Sequence, residues 1–242
     1  MTATATLDMT IRDIVANDFR TAAVFQRHGI DFCCKGDRSV HDACQNGRVT
    51  ADQVLKDIED ATSIPASGGL RPNTWDLNTL VSYIVGNHHA FVRQITPVLL
   101  THTKKVAAVH GEGHPELPEV ARLFREVADE MTSHMAKEEQ ILFPYIVALE
   151  ESARAGTPQP SAPFGTVRHP IRMMEMEHEV AGDAMARIRT LTSGYAIPAG
   201  ACTTYRVCLQ ELEAFERDLH EHVHLENNIL FPKAARLETE VG

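Results

Sequence analysis

The segment "HMAKEEQILFP", which begins at His134, returns as "HVHLENNILFP", which begins at His222. One chain thus writes His-x-x-x-Glu-x-x-Ile-Leu-Phe-Pro twice in the same register. A helix advances by about 100° per residue, so positions four apart share a face. Around His222 that face carries Cys208, Leu212, Phe215, Leu219, Glu226, Ile229 and Leu230, with His220, His224, Glu213, Arg217 and Asn227 opposite. Around His134 it carries Val120, Leu123, Phe124, Val127, Met131, Glu138, Ile141 and Leu142. Two imidazoles and two carboxylates therefore point into an apolar interior, which is costly unless they are paired or bind metal. A single buried histidine is ordinarily a hydrogen-bonded core residue. The same pair at matching core positions of two helices indicates a metal site.

The rest of the chain fits an all-α protein. Apolar residues recur at spacings of three and four, and β-branched alternation is absent. Four long helical segments are expected over roughly 75–110, 116–150, 166–193 and 200–236, separated by "GEGHPELP", "AGTPQPSAPFG" and "SGYAIPAG". That is the pattern of an up-down-up-down four-helix bundle. Pro144 and Pro232 fall at matching places in the second and fourth segments, where they should kink or stop the helix. Ahead of the bundle, residues 1–62 read as a small helical domain, with Gly29 as a helix-ending glycine and Ser39 and Thr50 as N-caps. The Pro-, Gly- and Ser-rich stretch 63–74 reads as a linker, and residues 75–242 form the bundle.

The third segment carries His178 and the first carries His89, each preceding a His-x-x-x-Glu pair at nearly the same distance. Packing the two hairpins together converges four imidazoles and two carboxylates. Two irons would then receive two histidines each, with both glutamates free to bridge. A bridging oxygen makes five ligands per iron and leaves a sixth position for a small molecule. A His-rich set with carboxylates suits iron better than calcium or magnesium. In the first segment the apolar side (Leu80, Ile84, Phe91, Ile95, Leu99) is centred nearer His88, whereas the repeat spacing prefers His89. Asp218 and Glu130 sit four residues before His222 and His134, where they could accept imidazole N–H groups, or be ordinary helix-face charges. "HEHVH" at 220–224 satisfies the zinc-protease pattern. His220 and His224 fall on the polar face, however, and are expected to be solvated.

A formal charge of −10 argues against a nucleic-acid or anionic-membrane partner. The absence of a long apolar run and of a basic-then-apolar leader points to the cytoplasm. Five cysteines, two of them adjacent, read as free thiols in a reducing compartment, with Cys202 and Cys208 in the core. Lys35 and Arg38 should favour the thiolate at Cys33 and Cys34. A metal site from Cys33, Cys34, His41 and Cys44 matches no zinc spacing.

Together "DFCCKG", "SHMAKEEQILFP", "MEMEHEVAG" and "CTTYRVCLQ…HVHLENNILFP" resemble the repair-of-iron-centres family over nearly the whole chain. Its members pair an N-terminal Cys-Cys domain with a haemerythrin-like bundle holding a non-haem di-iron site. The resemblance implies iron ligation by His89, His134, Glu138, His178, His222 and Glu226, with Glu138 and Glu226 as bridges. It selects His89 over His88 and sets Glu130 and Glu177 near the irons. Oxygen-carrying haemerythrins use a further His and one Asp, so oxygen transport is disfavoured. The implied role is repair of iron–sulfur clusters damaged by nitrosative or oxidative stress, by supplying iron to the damaged proteins. Binding or reducing nitric oxide is the second reading, and a homodimer is compatible with either. The first reading makes the chain a metal-handling factor rather than a turnover enzyme, with Cys33 and Cys34 as thiols that pass on iron or electrons.

Overall fold

Side-chain caps start the small N-terminal helices of the computed structural model, which describes residues 5–45, 49–63 and 71–241. Helix α1 (Ile11–Asn17) begins where the Thr10 hydroxyl accepts the Asp13 N–H. A 3₁₀ turn (Phe19–Thr21) leads into α2 (Ala22–Arg27), and Gly29 closes it at φ +67°. Helices α3 (Val40–Cys44) and α4 (Ala51–Thr62) start at Ser39 and Thr50, whose hydroxyls accept the N–H groups of Asp42 and Gln53. Ile11, Phe25, Val40 and Val54 are fully buried in an apolar core that runs on into that of the bundle. Most of the expected linker, residues 64–70, lies outside the described residues.

Three of the four bundle helices carry a π-helical turn. The first runs α5 (Leu77–Tyr83), π turn Ile84–His89, α6 (Ala90–His110). The second runs α7 (Leu117–Lys137), π turn Glu138–Leu142, α8 (Phe143–Ala155). The third, α9 (Arg168–Leu191), is regular. The fourth runs α10 (Thr203–Leu225), π turn Glu226–Leu230, α11 (Phe231–Val241). α6 packs on α7, α7 on α9, α9 on α10 and α10 back on α6, which closes an up-down-up-down bundle. Among the described residues there is no strand, only an isolated bridge between Thr10 and Ser39.

The prolines neither stop the helices nor break them. Pro144 and Pro232 lack the N–H that would reach the carbonyl four residues back. The preceding π turn absorbs the misfit: the Phe143 N–H bonds Glu138 O and the Phe231 N–H bonds Glu226 O, five residues back. The extra residue in the turn also rotates the face beyond it. Ile141, expected in the core, is 49% exposed for that reason.

Two apolar clusters fill the bundle. One contains Leu99, Phe124, Met131, Phe215 and Leu219, and the other Leu80, Ile84, Phe143, Ile146 and Phe231. Between them lies a buried polar layer of His89, His134, Glu138, His178, His222 and Glu226. The outer end of the first helix is held by Asp76, which accepts the Thr79 N–H at 2.8 Å. Asp76→Ala should cost about 1 kcal/mol in urea unfolding through loss of that N-cap. Its exposed contact with Arg154 adds little.

Candidate metal centre

The π turns decide which side chains enter the polar layer. In the first helix the turn at Ile84–His89 carries His89 inward, and its Nε2 meets His222 Nε2 at 3.1 Å and Glu138 Oε2 at 3.4 Å. His134 Nε2 lies 2.9 Å from His178 Nε2 and 3.4 Å from Glu138 Oε2. His178 Nε2 is 3.1 Å from Glu226 Oε2, and His222 Nε2 is 2.9 Å from Glu226 Oε1. Two groups of donor atoms result, each placed to hold one cation: His89, Glu138, His222 and Glu226, and His134, Glu138, His178 and Glu226. Both glutamates belong to both groups, so each can span two ions.

The outer ring nitrogens are tied back. His89 Nδ1 lies 2.6 Å from Glu139 Oε1, His134 Nδ1 2.9 Å from Glu177 Oε2, and His178 Nδ1 2.8 Å from Asn227 Oδ1. Each acceptor takes an Nδ1–H and leaves the Nε2 lone pair for a ligand, the usual support of a metal-bound imidazole. Both Glu138 oxygens and Glu226 Oε2 are buried without a well-aligned hydrogen bond, although imidazole Nε2 atoms stand 3.4 Å from Glu138 Oε2 and 3.1 Å from Glu226 Oε2. Such carboxylate oxygens among imidazole nitrogens suit a metal cation or, without one, protons on the imidazoles. Burial pulls the imidazoles down. Hydrogen bonding and charge from Glu138, with Glu226 behind it, nevertheless hold His89 up at about 10 and His134 at about 9.

Several expectations are corrected. Straight periodicity favoured His88, but the π turn takes His88 out of both donor groups. His88 stacks on His222 with ring centroids 5.6 Å apart and bonds Asp218 at 2.9 Å. Asp218 therefore supports His88 rather than His222, whose Nδ1 is buried without a hydrogen bond. Of the two readings of Glu130, the ordinary helix-face charge holds: it is exposed on α7, and His134 Nδ1 pairs with Glu177. Asn227, assigned to the polar face, is buried. Together with Glu139 it is a site residue that periodicity misses. The repeat could have found both, because Glu139 and Asn227 occupy the same position in the two segments and each supports the histidine of a neighbouring helix.

His220 and His224 are not solvated. His224 is 1% exposed, packs against Phe19 and Phe32, and meets Asn228 Nδ2 at 3.0 Å. Burial holds it down at about 3 and His220 down at about 4. The N-terminal unit covers this face. Asn228 Nδ2 donates to Phe32 O at 3.1 Å, and Asn227 Nδ2 donates to Cys33 O at 3.4 Å. Gly36 permits the approach, since a Cβ there would stand 3.2 Å from Asn228 Oδ1 and 2.6 Å from Phe32 O. Cys33 is buried, and Cys34, burial and Asp31 raise its thiol well above the usual range, against the thiolate expected from Lys35 and Arg38. Cys208 is in the core, but Cys202 is exposed beside His110. Neither His41 nor Cys44 belongs to a cation-sized group among the described residues.

Asn227 joins the Cys loop to His178 through one amide. Asn227→Ala should weaken metal binding by about 10–100-fold in a chelator competition. Asn227→Asp keeps an acceptor for His178 Nδ1 and should recover most of that loss.

A four-helix bundle whose interior presents two cation-sized His/Glu groups with shared carboxylates is a haemerythrin-type cation-binding protein. The family described as "Hemerythrin HHE cation binding domain" matches residues 79–234, and ScdA_N, a domain of unknown function, matches residues 7–62. The iron-sulfur cluster repair protein ScdA of Staphylococcus haemolyticus is 32% identical over 223 residues, 92% of this chain and 96% of the relative. The iron-sulfur cluster repair protein YtfE of Yersinia pestis (strain Pestoides F) is 34% identical over 223 residues, 90% of this chain and 93% of the relative. The chain belongs to the hemerythrin HHE family and, within it, to the family of these ScdA and YtfE proteins. No helix among the described residues is long and apolar enough to cross a membrane.

Proposed function

We propose that His89, His134, Glu138, His178, His222 and Glu226 bind two non-haem irons bridged by both glutamates, and that this cytoplasmic protein supplies iron to damaged iron–sulfur clusters. The observation that carries the reading is the membership of Glu138 and Glu226 in both donor groups. A pair of irons supplies redox-active, exchangeable metal, and the chain's own residues govern its release. None of the six side chains is a thiolate, so ferrous iron is held by nitrogen and oxygen donors that a sulfur-rich acceptor can outcompete. Glu139, Glu177 and Asn227 fix three imidazoles and keep their Nε2 lone pairs inward. The names of the two relatives support the choice of iron–sulfur clusters as the destination. Cys33 and Cys34 stand beside Asn227 and His220, where they can serve as the outlet.

The second reading, nitric oxide binding or reduction, is favoured by one feature. Each donor group offers two imidazoles and two shared carboxylates, which leaves coordination positions for a small ligand. One experiment separates the two. Iron-loaded protein is added anaerobically to an enzyme whose iron–sulfur cluster nitric oxide has destroyed, with equal free ferrous iron as control. Wild type should restore activity faster than free iron, and Cys33→Ser/Cys34→Ser should not. If neither exceeds free iron, direct iron supply fails and nitric oxide chemistry becomes the leading account.

A further inference from the structure

The N-terminal unit adds no ligand to the bundle groups, yet it carries another convergence of metal-binding atoms. Asp31, Cys33 and Cys34 bring a carboxylate oxygen and two sulfurs within 4.8 Å of one another. The two sulfurs are 3.8 Å apart, and Cys33 Sγ lies 3.4 Å from Asp31 Oδ1. A tetrahedral ion with metal–sulfur bonds of about 2.3 Å and a metal–oxygen bond of about 2.1 Å spaces its donors by about 3.8 Å and about 3.6 Å. Both observed spacings lie close to those edges. A disulfide, by contrast, would bring the sulfurs to about 2.05 Å.

The backbone fixes the carboxylate in place. Asp31 Oδ1 accepts the N–H groups of Cys33 at 3.1 Å and Cys34 at 2.9 Å. The bundle supplies the opposite wall of the cleft, and among the described residues no fourth His, Cys, Asp or Glu joins this group. His220 on α10 lines the same cleft of about 240 Å³ as these three residues and packs against Phe32 with ring centroids 5.9 Å apart. Its Nδ1 is buried and makes no hydrogen bond, so the fold leaves that nitrogen unused.

We infer that Asp31, Cys33 and Cys34 form a mononuclear site for a thiophilic divalent cation, distinct from the paired groups of the bundle, with its fourth position facing the cleft that His220 lines. Two sulfurs and one carboxylate with an open fourth position suit a tetrahedral ion of the zinc or ferrous type. Binding replaces both thiol protons by the cation and releases them to solvent, so two protons leave for each ion bound. The closeness of the Cys33 and Cys34 sulfurs then has a purpose that neither packing nor a disulfide supplies. Asn227 links this site to His178, through Cys33 O on one side and His178 Nδ1 on the other. The inference stands whether or not the bundle holds iron.

Cobalt(II) is the probe, added anaerobically to the reduced full-length chain. Wild type should develop thiolate-to-cobalt charge-transfer absorption in the near ultraviolet, a signal the thiol-free bundle groups cannot produce. Cys33→Ser/Cys34→Ser should abolish it, while Cys44, Cys202 and Cys208 remain as internal controls. Asp31→Asn keeps the acceptor for both N–H groups, and Cys33→Ser and Cys34→Ser alone each remove one sulfur. Each should raise the cobalt dissociation constant about tenfold or more. Glu138→Ala/Glu226→Ala should retain the band, so that failure here is told apart from failure of the bundle centre. Helical circular dichroism checks that every variant is folded. The site is refuted if wild type shows no band or if the band survives the double serine change. It is equally refuted if Asp31→Asn titrates like wild type.

Discussion

Glu138→Ala should drop the iron content from two ions per chain to one or none, and Glu226→Ala should do the same. Each carboxylate serves both donor groups, so removing either strips a charged ligand from two positions at once. Four neutral imidazoles and the one remaining carboxylate cannot offset two divalent charges in a layer buried between apolar clusters. Repair activity should fall to the rate of free iron in both variants. The helices themselves should survive, because the apolar clusters on either side are untouched and Pro144 and Pro232 still set the π turns. Asp218→Asn is the contrasting control. Its carboxylate bonds His88 and none of the six residues, so iron content should not change. Iron analysis of the three purified, reconstituted variants checks this directly.

Metal removal should lower the thermal midpoint by on the order of 10 °C. An ion that binds only the folded chain at a thousand times its dissociation constant adds about 4 kcal/mol. In a chain of this size each kcal/mol is worth roughly 2–4 °C. The physical source is the buried polar layer, where Glu138 and Glu226 Oε2 lack a well-aligned hydrogen bond unless a cation faces them. The metal-free chain should still fold. Although burial opposes it, the carboxylates hold His89 and His134 protonated, and these two imidazolium ions partly balance Glu138 and Glu226. Calorimetry of the metal-free and iron-loaded forms measures the difference. An unchanged midpoint would mean that the layer is satisfied without metal.

The duplicated segment made the two His-x-x-x-Glu pairs legible, and with them the bundle that brings them together. A constant 100° advance failed wherever a π turn adds a residue. It drew His88 forward in place of His89, put Ile141 in the core and Asn227 on the surface. Such turns concentrate at functional sites, and here the prolines that follow two of them were visible from the start. They do not stop the helix, because the π turn takes up the missing N–H. His220 and His224 failed for another reason. The periodicity of α10 describes that helix alone, while the burial of its polar side depends on Phe19, Phe32 and the Cys loop, far away in the chain. The thiol of Cys33 depends on the tertiary fold in the same way. Lys35 and Arg38 are near in sequence, but Cys34, burial and Asp31 govern the thiol, and Arg38 turns its Nε to Lys35 O.

The central claim is that Glu138 and Glu226 hold two ions together, and counting those ions tests it most directly. Ferrous iron would be titrated anaerobically into metal-free Cys33→Ser/Cys34→Ser protein, which isolates the bundle, and Mössbauer spectra recorded before and after mild oxidation. The account predicts saturation at two irons per chain, and after oxidation a single coupled ferric pair without paramagnetic splitting. Saturation at one iron, or a spectrum of isolated high-spin ferric ions, would contradict it.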